Sequence, residues 1–346
     1  YNPLAPGFII ANQKVIVSTN DYEGILSIAK QFDVDGILTT SDFPVNIVAK
    51  VSQQLGLYSM TEYVVEICTN KFKQRILFQR AIINVPFFKL CRDISDTKSL
   101  NNFPYIVKPV DSSASRGVKK VSSRIELEEH FADALYYSKI KNVLIEEFIE
   151  GREFSVETLT QKNITHFIAI TEKLVIGERE GYFVEDTHIE PARISTSERL
   201  LIESEVKKAI DIIGINNCPT HTEIKLNNKG AFIIEIACRL GGDYITSDLV
   251  PLSTGVDMLA NLIRISLGED IIVCPSLNRY ACIQFINSSN YERCKSYIES
   301  DNTHIVRSEI KGCHNKEIRN SLDRMGYIII IADSIVEMEY NLSLIK

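Results

Sequence analysis

The sequence predicts an α/β protein in which a partial parallel α/β unit precedes two α+β lobes. Three observations predict this. In residues 1–68, apolar β-type runs alternate with stretches of helical periodicity, the pattern of a parallel open sheet. In residues 69–272, strand-type runs follow one another across turn residues, which favours antiparallel pairing. In residues 273–346, short strands dominate around a single helix, which predicts a small C-terminal α+β domain.

In chain order, Val15-Ile-Val-Ser predicts a strand, 22–32 a helix, Gly36-Ile-Leu-Thr a second strand and 45–55 a second helix. This is half of a doubly wound unit, which normally opens with a further strand–helix–strand. The chain also begins at Tyr1 without an initiator Met. Together these predict an N-terminally truncated domain. Residues 70–81 form the next helix, with Thr69 or Asn70 as N-cap. Pro86-Phe-Phe-Lys-Leu, Tyr105-Ile-Val-Lys-Pro, Gly117-Val-Lys-Lys-Val and the apolar run from Asn142 are strands, with a helix over 123–137. Residues 153–159 and 165–171 are expected to pair antiparallel. A helix over 198–213 ends at Gly214. A hairpin, helices over 256–267 and 291–299, and the strand ending at Asp333 complete the pattern.

At 346 residues, 45% hydrophobic and 24% charged, the chain can bury a sizeable core. The net charge of −7, without a basic block, argues against nucleic acid. The longest apolar run, Gly326-Tyr-Ile-Ile-Ile-Ile-Ala, is far short of the roughly 20 residues of a membrane helix. Eight cysteines are scattered with no Cys-x-x-Cys pair and no zinc spacing. Buried reduced thiols are expected, and with them the cytoplasm.

Four segments carry candidate chemistry. In His221-Thr-Glu-Ile-Lys-Leu-Asn-Asn-Lys-Gly-Ala-Phe-Ile-Ile-Glu-Ile-Ala-Cys-Arg239, a turn cluster separates two apolar runs. With a loop of residues 228–230, Glu223 lies opposite Glu235. Two carboxylates held together in a partly dry place need a cation or a shared proton, and oxygen ligands favour magnesium. The competing reading is an exposed acidic pair on an edge strand. In the second segment, Lys108 ends a strand and precedes a loop with Ser112, Ser113, Ser115 and Gly117, whose hydroxyl and N–H groups can close over phosphate oxygens. A solvated serine turn is the alternative. In the third, Glu146, Glu147 and Glu153 follow an apolar strand and a Gly turn, which reads as an acidic loop or as a hinge between lobes. In the fourth, Arg239-Leu-Gly-Gly-Asp offers the N–H groups of Gly241 and Gly242 to a carboxylate, or is an ordinary Gly-Gly turn.

The order Lys71, Lys108 with its serine loop, Glu146 to Glu153, then Glu223, Glu235 and Arg239 resembles the ATP-grasp superfamily of carboxylate–amine ligases, over nearly the whole chain. The stretch 324–333 looks like the lid-type C-terminal segment of the branch containing amino-acid ligases and the carboxylating and formylating purine enzymes. The resemblance implies that Lys71 and Lys108 reach ATP phosphates, and that Ser112, Ser113, Ser115 and Gly117 form the mobile phosphate loop. It implies Glu146 near the adenine amino group, Glu147 and Ile149 using backbone groups on the adenine edge, and Glu153 on the ribose. Glu223 and Glu235 would hold magnesium, with two ions expected and manganese as a substitute. Arg239 would steady the transferred phosphate and the carboxylate. Glu185 and His188 resemble the acid and histidine placed beside a substrate amine. Their other reading is a polar loop with a solvated histidine.

Many members carry Asn two residues after the second glutamate. This chain has Ala237 there, which weakens the metal assignment. The activity implied is ATP-dependent joining of a small-molecule carboxylate to an amine through an acyl phosphate, with no nucleic-acid or membrane partner. A homodimer is left open. Carboxylation or formylation of a nucleotide-type amine, and non-catalytic ATP binding, are the alternatives.

Overall fold

The structure, a computed structural model, describes residues 3–112, 116–300, 302–312 and 320–346. Its first part is helical: α1 (Gly7–Ile10), α2 (Tyr22–Gln31), α3 (Val45–Leu55), α4 (Glu62–Cys68) and α5 (Lys71–Arg80). Each of the last two starts where the sequence provides a cap. Thr61 accepts from the Val64 N–H and Asn70 from the Lys73 N–H. Helix α4 escaped sequence reading because seven residues are too few to establish a period.

The strands expected at Val15–Ser18 and Gly36–Thr39 do not form, so the parallel sheet of the N-terminal unit is corrected to a helical layer among the described residues. A strand is stabilised only by a laterally paired neighbour. No ladder joins these two runs, and Ile16 remains 59% exposed. Leu26, Ala29, Ile47 and Val51 instead form a small cluster, with Val34 and Ile37 packed against it.

Two sheets follow, antiparallel at every pairing. One is four-stranded, in the order β1 (Phe88–Cys91), β4 (Val143–Glu147), β2 (Tyr105–Pro109), β3 (Lys119–Val121). Helix α6 (Arg124–Tyr137) covers it, burying Leu127, Phe131 and Ala134 against Val107, Val121 and Ile145. The other is eight-stranded: β11 (Ile305–Ile310), β12 (Gly326–Ala332), β10 (Tyr280–Ile286), β7 (Val184–Glu190), β6 (Ile164–Ile176), β5 (Arg152–Gln161), β8 (Cys218–Asn227), β9 (Gly230–Ala237). The C-terminal strands thus continue the central sheet, through the β10–β7 pairing of Ala281 with Glu190 to Gln284 with Thr187. Helix α7 (Thr196–Ile213) buries Ile202, Val206, Ala209, Ile210 and Ile213 in the largest apolar cluster, which includes Ile224, Ile233 and Ile236 of the sheet. A capping box of Ser195 and Glu198 starts it, and Gly214 ends it at φ 75°. Helices α8 (Val250–Thr254), α9 (Met258–Leu267), α10 (Tyr291–Glu299) and α11 (Ile335–Ile345) complete the chain.

The predicted hairpin is β8–β9. Glu223 does lie opposite Glu235, but by a different route. The turn closes tightly, with Asn227 opposite Gly230, and the register then shifts between Glu223 and Ile224. Ile224 faces Ile233, so Ile234 is the extra residue of a β-bulge.

Among the described residues no helix is long and apolar enough to cross a membrane. The described cysteines are free thiols, buried as expected except Cys274, which is exposed.

Candidate active site

Helix α5 lies along the outer edge of β9, and the spacing of its residues explains how. Lys71, Gln74, Arg75 and Phe78 share one buried face. The Gln74 amide both donates to the Ile236 carbonyl (2.9 Å) and accepts from the Ile236 N–H (3.1 Å), replacing a missing strand neighbour. Arg75 Nη2 donates to the carbonyl of the bulged Ile234 at 2.6 Å. Lys71 Nζ donates to Glu235 Oε1 and to the Ser112 carbonyl, each at 2.8 Å. One helix face therefore joins the hairpin to the start of the serine loop. Ser113 and Ser115 lie outside the described residues. Gly117 sits at φ 72°, where a Cβ would come within 2.9 Å of the Tyr137 ring.

Beneath that loop is a buried ion triad. Glu146 Oε1 accepts from Arg75 Nε at 2.6 Å and Glu146 Oε2 pairs with Lys108 Nζ at 2.5 Å. All three side chains are essentially inaccessible. Burial pushes the Lys108 ammonium below its ordinary value, more than Glu146 lifts it, and Arg75 and Lys71 push it further down. Burial favours the neutral form of Glu146, but Arg75 and Lys108 outweigh it and hold this carboxyl low. The Glu147 N–H donates to the Phe87 carbonyl at 2.9 Å, and Ile149 is buried beside the β4–β5 connection.

The second centre is Lys173 on β6, fully buried among three acids. Its Nζ lies 3.0 Å from Glu223 Oε1, 3.5 Å from Glu153 and 3.6 Å from Glu185. Burial disfavours its charge, yet Glu223, Glu185 and Glu153 together raise it well above the ordinary lysine value. Lys173 in turn is the main reason Glu223 is held well below the carboxylate range. Glu153 also pairs with Lys225 at 3.1 Å. The opposed carboxylates of Glu223 and Glu235 are each open on one side, with about a third of the side chain exposed, 31% and 27%. Each is met by one lysine.

Across from Ala237 on the ladder is His221, which pairs on its other side with Glu157. Their side chains meet at 2.5 Å, and the remaining ring nitrogen of His221 is 3.9 Å from Glu223. Burial opposes the imidazolium, but the Glu157 charge and hydrogen bond dominate and raise His221 to about 9. The Gly-Gly turn packs on this pair. A Cβ on Gly241 would lie 2.7 Å from His221 Nδ1, whereas Gly242 faces open space. Arg239 is gripped by Asp42, with Nε 2.5 Å and Nη2 3.3 Å from the two carboxylate oxygens.

On the acceptor side, His188 is not a solvated loop histidine. It is completely buried on β7, edge-on to Phe285, and among the described residues neither ring nitrogen has a hydrogen-bond partner. Asp243 Oδ2 is 3.8 Å from His188 Nε2. Arg324 binds the same Asp243 oxygen and Glu185 Oε2, each at 2.9 Å, and stacks 3.6 Å over Phe285. Burial raises the Asp243 carboxyl, but His188 and Arg324 prevail and depress it. Asp243 and Tyr244 are consecutive residues at φ 49° and 64°, so the turn aiming this carboxylate is strained.

Thus Lys71 contacts Ser112 and Glu235, Lys173 contacts Glu223, Glu153 and Glu185, and the β8–β9 ladder sets the two groups opposite each other, with Lys108 and Glu146 behind them. Sequence reading missed Arg75, Lys173, the Glu157–His221 pair, Asp42, Asp243 and Arg324. Arg75 was accessible in principle, four residues from Lys71 on a helix already recognised. The others meet only through long-range strand pairing and turns.

A magnesium ion is implied by the family resemblance. Among the described residues no group of three or more His, Cys, Asp or Glu side chains gathers to hold a metal. Two adjacent, partly open carboxylates nevertheless fit an ion whose other oxygens come from phosphate and water.

An acidic pair met by lysines on the β8–β9 hairpin therefore lies beside the start of a serine-bearing loop, with the buried Lys108 at the end of β2. Residues 101–248 match the family model of the ATP-grasp domain. It is 28% identical over 270 residues to the alanine–anticapsin ligase of Bacillus subtilis, covering 70% of this chain and 56% of that protein. Over 145 residues it is 31% identical to a D-alanine–D-alanine ligase of Flavobacterium psychrophilum, covering 41% and 44% respectively. Among solved structures, the L-amino acid ligase from Bacillus licheniformis superposes with a TM-score of 0.78 at 25% identity, covering 94% of this chain and 83% of that one. The phosphoribosylglycinamide synthetase of Anaerococcus prevotii shares the fold, with a TM-score of 0.73 at 20% identity, covering 98% and 88%. The chain spans about half to two thirds of the length of the curated relatives it matches over most of its own length.

Proposed function

We propose that this chain is an ATP-dependent ligase that joins a small-molecule carboxylate to an amine, with amino acids as the substrate class. The observation that carries the reading is the joined set Lys71–Glu235 and Lys173–Glu223, two carboxylates opposed on one hairpin and each partly open. The amino-acid ligases among its relatives support the substrate class.

In this reading Lys108 and Lys71 meet the phosphates of ATP, and Ser112, Ser113, Ser115 and Gly117 close over them. Glu147 and Ile149 border the adenine, with Glu146 behind Lys108, and Glu153 takes the ribose. The substrate carboxylate attacks the γ-phosphoryl group, forming an acyl phosphate and releasing ADP. The amine then adds to the acyl carbon and inorganic phosphate leaves. The chain acts by positioning and charge neutralisation. Glu223 and Glu235 would hold magnesium, with two ions expected; when bound it neutralises phosphate charge. Arg239, braced by Asp42, faces the developing negative charge. Glu185 and His188 sit beside the amine, and Gly241 and Gly242 present N–H groups to a carboxylate. Closure excludes water, which would otherwise hydrolyse the acyl phosphate.

Release of ADP with pooled amino acids tests the proposal. Amino-acid-dependent ADP release supports it. ADP release that responds only to bicarbonate or formate with a nucleotide-type amine would move the chain to the carboxylating or formylating enzymes. No turnover with intact ATP binding would leave a binding protein.

A further inference from the structure

We propose that Arg75 is a positioning residue for the phosphate end of the nucleotide site: it takes one oxygen of Glu146 while Lys108 takes the other, so that two cations share a single carboxylate and the group as a whole offers net positive charge to a phosphate. The inference rests on the reading of Lys108 as a phosphate-binding lysine.

The triad has two cations and one anion, all buried. A purely structural pair needs one of each, because every unmatched buried charge is costly. The surplus positive charge is therefore the feature to explain, and an arriving phosphate would complete it. The groups facing Lys108 are Glu146 from β4 and Arg75 and Lys71 from α5. Lys71 is already compensated by Glu235, so Arg75 carries the surplus.

The geometry also accounts for arginine rather than lysine. Nε reaches Glu146 and Nη2 reaches the Ile234 carbonyl, both at 2.6 Å, from one planar group. The Ile234 carbonyl belongs to the bulge next to Glu235, so Arg75 ties the hairpin carboxylate to the lysine across the cleft. Among the described residues Nη1 is buried without a partner, as expected of a side chain held here for its charge rather than for a complete hydrogen-bond set.

Arg75 also acts on the titration of Lys108. Burial lowers the Lys108 pKa, and Arg75 and Lys71 lower it further against the pull of Glu146. Removing Arg75 deletes one repulsion and leaves Glu146 to Lys108 alone. The ammonium then loses its proton at higher pH, but it is more fully neutralised by its own carboxylate.

The experiment is calorimetric binding of a non-hydrolysable ATP analogue with magnesium, and of adenosine, from neutral to alkaline pH. In Arg75→Met the analogue should bind about ten-fold more weakly at neutral pH, adenosine should bind as in the native protein, and the alkaline limb of analogue binding should move to higher pH. Arg75→Lys keeps the charge. It should hold analogue affinity to within about three-fold, with a lowered melting temperature from the lost Ile234 bond. Native analogue affinity in a folded Arg75→Met protein, or equal losses for adenosine and analogue, would overturn the proposal. If Arg75→Met does not fold, Arg75→Lys decides: retained affinity supports the charge role and a loss overturns it. Lys108→Ala separates this inference from the reading beneath it. Native analogue affinity in Lys108→Ala would defeat the phosphate-site assignment itself, whereas a loss there beside native affinity in Arg75→Met defeats only the role of Arg75.

Discussion

Lys108 and Lys173 are buried to the same degree, yet their surroundings drive them in opposite directions. Lys108 shares one carboxylate with Arg75, and burial pushes its pKa down. Lys173 faces three carboxylates, and its pKa is driven well above the ordinary value. The difference is one of neighbour count rather than depth. The first centre has surplus positive charge and suits an incoming anion. The second gathers three carboxylates around Lys173, two of them shared with Lys225 and Arg324, and leaves Glu223 partly open to an incoming cation. In the proposed function a nucleoside triphosphate with its metal would bring both, and the two centres would serve as complementary halves of one site.

The sharpest way to break this contrast is to remove each lysine. Lys173→Met leaves Glu223 without its close cation, while Glu153 keeps Lys225 and Glu185 keeps Arg324, and we expect a loss of about 3–5 kcal/mol of stability near neutral pH. The sign with pH follows from Glu223, whose folded pKa lies well below its ordinary 4.5. Its stabilising contribution is present above that ordinary value and is lost as pH falls through the folded value. Chemical denaturation across pH should therefore show the mutant penalty shrinking in acid. A penalty independent of pH would mean that Lys173 contributes packing alone.

Glu235→Gln keeps the side-chain shape and removes one of the two charges that would face the proposed metal. We expect turnover to fall about a hundred-fold or more, with folding retained. A more stable, fully active variant would show that the pair is merely a strained acidic contact, and would end the ligase mechanism.

Lys108→Met should do the opposite of Lys173→Met. It leaves a matched Arg75–Glu146 pair, so stability should change by less than about 1 kcal/mol, while affinity for an ATP analogue falls about thirty-fold. Melting curves and titration calorimetry on one preparation check both parts. A large stability loss with native affinity would reverse the contrast.

The smallest effect concerns the acceptor side. Glu185→Ala or His188→Ala should raise the Michaelis constant for an amino acid about ten-fold, with that for ATP little changed. Steady-state kinetics with each substrate varied decides it. Loss of ATP affinity alone would assign these residues to the nucleotide.

The same contrast separates what the sequence could reveal from what it could not. Helices over 22–31, 45–55, 71–80 and 291–299 were legible because periodicity and caps are local. The hairpin was legible because its turn residues stand between two apolar runs. The strands at Val15 and Gly36 were misread because a run can look β-like and have no neighbour to pair with. Lys108 stood out because it ends a strand before a serine-rich loop, and Lys71 only through the order of segments that resembles the ATP-grasp superfamily. Lys173 did not, since its three acids come from β5, β7 and β8 and meet only in register. Arg324 lies 139 positions from Glu185, and no local pattern announces that bond.

The bulge at Ile234 carries a last consequence, for how such a hairpin can change over evolutionary time. In the structure the tight turn and the one-residue bulge together bring Glu223 opposite Glu235. An unbulged ladder with a three-residue turn over 228–230 would bring the same two residues together. The tip and the acidic end are therefore mechanically separate modules. Sequence drift that trades the bulge for a wider turn would alter which isoleucines face the core, but leave the spacing of the carboxylates untouched. An acidic pair mounted this way is shielded from the part of a hairpin most prone to insertion and deletion.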